Sequence, residues 1–121
     1  MSGLKITIKG VPPSLNKFAG RQNAWDYREC KNAWTQKVWA YALKQRPPKP
    51  FEHAKVVITY YFPTAARHDA DNYAGKFLLD GLTKAGVIVD DDLKHISTMI
   101  VGMVDRKNPR TVIEVTHEAQ E

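Results

Sequence analysis

The apolar residues change period along the chain, from two to about four and back, and that alternation limits the fold more than any other feature. Leu4, Ile6 and Ile8 alternate with Lys5, Thr7 and Lys9, which predicts a half-buried strand ended by Gly10–Pro13. Residues 14–27 have little periodicity and carry Lys17 and Arg21, so they read as a basic loop. From about Arg28 to Gln45, Cys30, Trp34, Val38 and Tyr41 recur at four, four and three, one face of a helix. Three prolines in 45–50 end it. Lys55–Phe62, rich in Val, Ile and Tyr, reads as a central strand. Asn72–Ala85 reads as a second helix with Gly86 as its stop, followed by a very short strand at Val87–Val89. Ile96–Val104 and Thr111–Thr116 look like two strands of a hairpin joined by the basic turn 106–110. The order β-α-β-α-β-β predicts an α/β (α+β) two-layer sandwich, a mixed sheet of four to five strands with two main helices.

At 121 residues the chain is the size of one domain, spanning 1–121. No apolar run approaches the roughly 20 residues of a membrane span, and the opening residues lack a signal-peptide pattern. A single cysteine, Cys30, excludes an internal disulfide and fits a reducing cytoplasm; on an apolar helix face it reads as a packed thiol. There is no glycine-rich phosphate loop, which disfavours a nucleotide cofactor. The four histidines, 53, 68, 95 and 117, have no zinc spacing.

Charge is unevenly spread. Residues 1–68 hold 12 Lys and Arg against 3 acidic residues, whereas 69–92 hold 2 lysines against 6 aspartates. A basic body attracts polyanions, and nucleic acid is the commonest large one. The aspartates would repel that same polyanion unless cations neutralised them. Basic surface with a carboxylate island is therefore the outline of a metal-dependent nuclease, against the plainer alternative of a basic protein with one acidic turn.

The spacing favours the metal. In an extended stretch Asp69 and Asp71 project to the same side and can share a cation. Mg²⁺ takes one or two carboxylates plus water and phosphate oxygens. A third carboxylate, Asp91 or Asp90, would complete the set if Val87–Val89 ran back beside the second helix. A helix N-cap explains one aspartate but not the later triplet. An EF-hand loop fails at Tyr73 and at Ala74, where it needs an oxygen ligand and a glycine. Lys76, four residues before Asp80, reads by itself as the partner in a surface ion pair. His68, next to Asp69, is a candidate for supporting that site.

Taken together, Pro12-Pro13-Ser14-Leu15-Asn16-Lys17, Asp69-Ala70-Asp71-Asn72, Lys76, Asp80-Gly81-Leu82, and Gly86 followed by Asp90-Asp91 resemble the RusA family of Holliday-junction resolvases. The likeness spans residues 4–116 in layout and is most specific over 69–91. It implies a small homodimeric endonuclease, often of phage or prophage origin. Such an enzyme uses Mg²⁺ (or Mn²⁺ in its place) to cut four-way DNA junctions by paired nicks. Asp69, Asp71 and Asp91 look like the family's metal-binding aspartates, Lys76 like its cleavage lysine, and Asn72 like the asparagine that engages the junction. One departure stands out: Lys76 follows Asp71 by five residues where the family pattern has four, and glycine at 75 can absorb the extra residue at the helix start.

Asn16, Lys17, Arg21, Arg28 and Arg67 are the candidates for DNA contact alongside Asn72, through the backbone and without reading sequence. Phe18 and Trp25 are candidates to stack on opened bases, and Trp34 belongs rather to the core. A nuclease for flaps or other branched DNA and a DNA-binding module without catalysis are the alternative functions. Asp92 receives no role from its position.

Overall fold

In the computed structural model, residues 3–14, 24–66, 68, 73 and 75–118 are described, without the side chains of Ala24 and Lys76. The elements are β1 (Gly3–Lys9), α1 (Ala24–Leu43), β2 (Ala54–Phe62), α2 (Lys76–Lys84), β3 (Ile96–Val104) and β4 (Arg110–His117). Four strands form one mixed sheet in the order β1-β4-β2-β3, with α1 and α2 over one face: an α+β two-layer sandwich.

β2 is the central strand that its composition predicts, antiparallel to β4 and parallel to β3. The register puts Val56, Ile58, Tyr60 and Phe62 on the helix side, where all are buried. From the neighbouring strands Leu4, Ile6, Ile8, Ile113 and Val115 join them. On α1, Trp34, Val38 and Ala42 face this layer; Phe77, Leu78 and Leu82 do so from α2.

The expected β3–β4 hairpin does not form. β2 lies between the two strands, and the link from Val104 to Arg110 crosses its end, where the Asp105 amide donates to the Phe62 carbonyl at 2.8 Å. Burial explains the choice. β4 buries Thr111, Val112, Ile113 and Val115, as an interior strand should, whereas Met99, Met103 and Val104 leave β3 half-exposed at the edge. The parallel β2–α2–β3 connection is the usual crossover solution for neighbouring parallel strands.

Three other expectations shift. α1 begins at Ala24, inside the stretch read as loop, and its buried face ends in Ala42 while Tyr41 is exposed. The second helix is shorter than 72–85, because Gly75 at its N-cap has φ 88° and ψ 9°, a left-handed geometry that favours glycine. Val87–Val89 shrinks to a single parallel bridge between Ile88 and Phe51. Trp34, 7% exposed, lies in the core as read, and Cys30 packs half-buried against it. No helix among the described residues is long and apolar enough to cross a membrane.

The helices meet at Gly81. A Cβ there would stand 2.6 Å from the Val38 Cβ and 2.9 Å from the Thr35 carbonyl oxygen, so only glycine admits this approach. Gly81→Val is expected to destabilise the protein by about 1–3 kcal/mol, as overpacked cores do, read as a lower urea midpoint with an unchanged slope.

Candidate active site

The crossover between β2 and β3 carries the residues on which the site depends. It leaves the sheet at Phe62 and returns through α2, whose first residue is Lys76. The glycine before it serves two purposes. Its left-handed backbone turns the chain into the helix, and a Cβ there would lie 2.6 Å from the Ile58 Cδ1, so the helix start sits directly on β2.

Several contacts join the helices. Tyr27 packs on Phe77 with ring centroids 5.6 Å apart, Lys31 pairs with Asp80 at 3.1 Å, and Val38 meets Gly81. The Thr35 hydroxyl donates to the Phe77 carbonyl at 3.3 Å, which sets the first turn of α2 beside the middle of α1. Arg28 and Trp25, the latter 65% exposed, lie in the first turns of α1.

After α2 the chain turns back and pairs with Phe51. The Phe51 amide donates to the Val87 carbonyl at 2.8 Å, and the Val89 amide donates to the Phe51 carbonyl at 3.1 Å. The parallel bridge here aims the following residues along β2, and Asp91 arrives within electrostatic reach of Asp80. Partial burial, a hydrogen bond with Asp90, and the charges of Asp80 and Asp90 push the Asp91 carboxyl above the ordinary carboxylate range. Asp90 accepts a hydrogen bond from the Asp91 amide at 2.7 Å. The carboxyl of Asp91 therefore sits in a locally acidic setting supplied by Asp80 and Asp90.

Asp92 does different work. It accepts from the His95 amide at 3.2 Å and contacts the His95 ring, which draws its carboxyl below the ordinary range. It caps the turn into β3.

Among the described residues no three His, Cys, Asp or Glu side chains are grouped to hold a metal ion. Asp69, Asp71 and Asn72 lie outside those residues, as do Asn16, Lys17, Phe18, Arg21 and Arg67. Their neighbours His68 and Tyr73 are described, and both pack on β2. Of the candidate residues, the structure shows Asp91 beside Asp90 and within electrostatic reach of Asp80 on the helix that Lys76 opens. Sequence reasoning gave no part to Lys31, which supplies the Asp80 ion pair expected of Lys76. Nothing in the spacing of residues 31 and 80 signals that pairing; it needs the two helices laid side by side.

The RusA endodeoxyribonuclease family model matches residues 10–116 of the 121-residue chain. The chain belongs to the RusA endodeoxyribonuclease family. No curated protein matches it closely enough to name a relative. The family assignment gives the acidic crossover a nuclease context, and RusA resolvases are generally dependent on a divalent metal.

The raised Asp91 carboxyl has a consequence for stability. A carboxyl whose pKa is higher folded than unfolded binds protons more tightly in the folded state. Its contribution is therefore present in acid and lost as pH rises through the folded value. In metal-free protein Asp91→Asn is expected to raise the melting temperature at pH 7 by about 1–3 °C. The gain should vanish near pH 4, as thermal melts in EDTA would record.

Proposed function

We propose that the chain is a Mg²⁺-dependent, structure-specific endodeoxyribonuclease of one domain over residues 1–121, which resolves four-way DNA junctions by paired nicks as a homodimer. Mn²⁺ would replace Mg²⁺. The family match over residues 10–116 carries the activity, and the approach of Asp91 to Asp80, on the helix that Lys76 opens, supports the placement of the site.

Asp69, Asp71 and Asp91 would hold the metal, with Asp90 fixing the Asp91 turn through the amide hydrogen bond. A divalent cation held there would lower the pKa of a bound water, providing a nucleophile at neutral pH, and would draw charge off the phosphate. Lys76, at the first turn of α2, stabilises negative charge as it develops on the leaving oxygen. Asp80 remains paired with Lys31, which keeps its charge from adding fully to that of Asp91. Asn72, with Asn16, Lys17, Arg21, Arg28 and Arg67, would contact the DNA backbone; these contacts position the substrate without reading sequence.

The edge of β3 supports a second copy at that place. Its nine residues include no charged side chain and no proline, and Met99, Met103 and Val104 are half-exposed. Such an edge is a template for pairing with another chain. The opposite edge, β1, alternates with Lys5 and Lys9 and is protected in the usual way. A two-fold pairing of β3 with its copy would present two sites to two strands of a symmetric junction.

The test is cleavage of a labelled four-way junction, a linear duplex and a flap in Mg²⁺ or EDTA. Symmetric nicks made within one binding event on the junction alone are expected, absent in EDTA and in Asp71→Asn. Lys76→Ala should lower the rate by about 10²–10³-fold. Equal cutting of the flap would transfer the activity to branched DNA in general. Tight junction binding without cutting in any divalent metal would leave a DNA-binding module.

A further inference from the structure

A cleft of about 500 Å³ opens between α1 and α2, within the size range of small-molecule sites. Its walls are Asn32, Gln36 and Trp39 from α1 and Lys84 from α2, with Thr35 below them. Asn32, Gln36 and Trp39 follow one another at four and three residues, so they form one stripe along the helix. Thr35 is buried and its hydroxyl donates to the Phe77 carbonyl at 3.3 Å, which makes it a floor. The Trp39 ring is 39% exposed, and Lys84, in the last turn of α2, is exposed as well.

This lining joins a flat aromatic face, two carboxamides and an ammonium, and it contains no carboxylate. Such a set suits a planar group with hydrogen-bonding edges that is tethered to an anion. A nucleotide is that combination. Every base has a face that stacks on an aromatic ring, a carboxamide pairs through two bonds with adenine N6 and N7, and an ammonium meets the phosphate. A bare anion would have no use for the indole, and a cationic ligand would meet Lys84 with no lining acid to offset it.

The cleft also lies near the acidic turn. Thr35 follows Lys31 by one helical turn and Lys84 follows Asp80 by one, so the cleft begins just past the Lys31–Asp80 ion pair. Along α2 that is roughly 6 Å from Asp80, and Asp80 is within electrostatic reach of Asp91. The family acts on branched DNA, and a base that is already unpaired leaves the stack at the least cost. We propose that the α1–α2 cleft receives one unpaired nucleotide of the DNA substrate. Its base stacks on Trp39 with an edge at Asn32 and Gln36, and its phosphate lies at Lys84. The inference rests on the action of the family on DNA and is independent of which aspartates hold a metal.

The experiment is nuclear magnetic resonance titration of the full ¹⁵N-labelled chain in EDTA. The probes are deoxyadenosine monophosphate, a short deoxyadenylate strand, and a strand of equal length whose sugars carry no bases. The Trp39 indole and the side-chain amides of Asn32 and Gln36 report on the cleft, with Trp39→Phe assigning the indole signal. These signals are expected to shift with the deoxyadenylate strand and far less with the abasic one. Trp39→Ala should weaken strand binding, read at the Gln36 amide, by about 10-fold, whereas Trp39→Phe keeps a ring and should lose less. Lys84→Ala should lower the slope of log affinity against log salt by about 0.7, the share of one phosphate on a single strand. Trp39 and Lys84 are both exposed, so neither change empties the core. A four-way junction with one unpaired adenine at the branch should also bind Trp39→Ala about 10-fold more weakly, and a linear duplex should not.

Strand binding left unchanged by both Trp39→Ala and Lys84→Ala would overturn the proposal. Equal shifts with the abasic strand would overturn the base site and leave a phosphate contact. If the monophosphate shifts the signals and the strand cannot displace it, the cleft takes free nucleotides and has no part in DNA binding. Broadening with protein concentration alone, relieved by Trp39→Ala, would make the cleft an interface between copies and overturn it too. Because every readout is taken without metal, a failure of the cleavage assay would count against the nuclease reading and leave the cleft standing.

Discussion

The parallel pairing of β2 with β3 forces the architecture of the site. Parallel neighbours cannot be joined by a tight turn, so the chain must leave the sheet at Phe62, cross one face and return at Ile96. The candidate metal ligands and the candidate cleavage lysine, at 69, 71, 76, 90 and 91, all lie on that crossover. Its path is pinned where it touches β2, by His68 and Tyr73 on Phe62, by Gly75 on Ile58, and by the bridge from Ile88 to Phe51. α1 adds a lateral stop, since Gly81 admits Val38 so closely that α2 cannot slide without a clash. The helix and the returning turn are thereby held at one spacing, which places Asp91 within the field of Asp80.

That placement has an electrostatic cost in the metal-free protein. The charges of Asp80 and Asp90, with partial burial and a hydrogen bond from Asp90, raise the Asp91 carboxyl above the ordinary range. Lys31 pairs with Asp80 at 3.1 Å. A chain that carries such a cluster beside a predominantly basic body matches two different partners at once, a small cation at the carboxylates and a polyanion on the surrounding surface. The two requirements meet in phosphodiester hydrolysis on DNA, where the cation lets the acidic site approach a phosphate.

Much of this was legible in the sequence, for identifiable reasons. The alternation in Leu4–Lys9 and the β-branched run in 55–62 located β1 and β2, because side-chain period follows directly from backbone geometry. The aspartate spacing and the ordered family residues pointed to the crossover as the candidate site. Strand order was not legible. A hairpin and a link that hops across one strand need similar chain lengths, since two strand spacings are only about 10 Å. What separates them is the burial of β4 on the helix side, a property of the assembled sheet. The start of α1 was hidden because the polar residues around Asp26 and Arg28 mask its periodicity. The ion pair of Lys31 with Asp80, and the shared aromatic support of His68 and Tyr73, depend on tertiary contacts between segments that no spacing rule connects.

The central claim is that the crossover gathers Asp69, Asp71 and Asp91 around one cation at the head of α2. A crystal structure of the full chain grown with Mn²⁺, with the ion located by its anomalous scattering, tests this most directly. The account predicts a Mn²⁺ ion coordinated by carboxylate oxygens of all three aspartates, beside the first turn of α2. An ion held instead by Asp92 and His95 at the start of β3, or by Asp80 and Asp90 without Asp69 and Asp71, would contradict it.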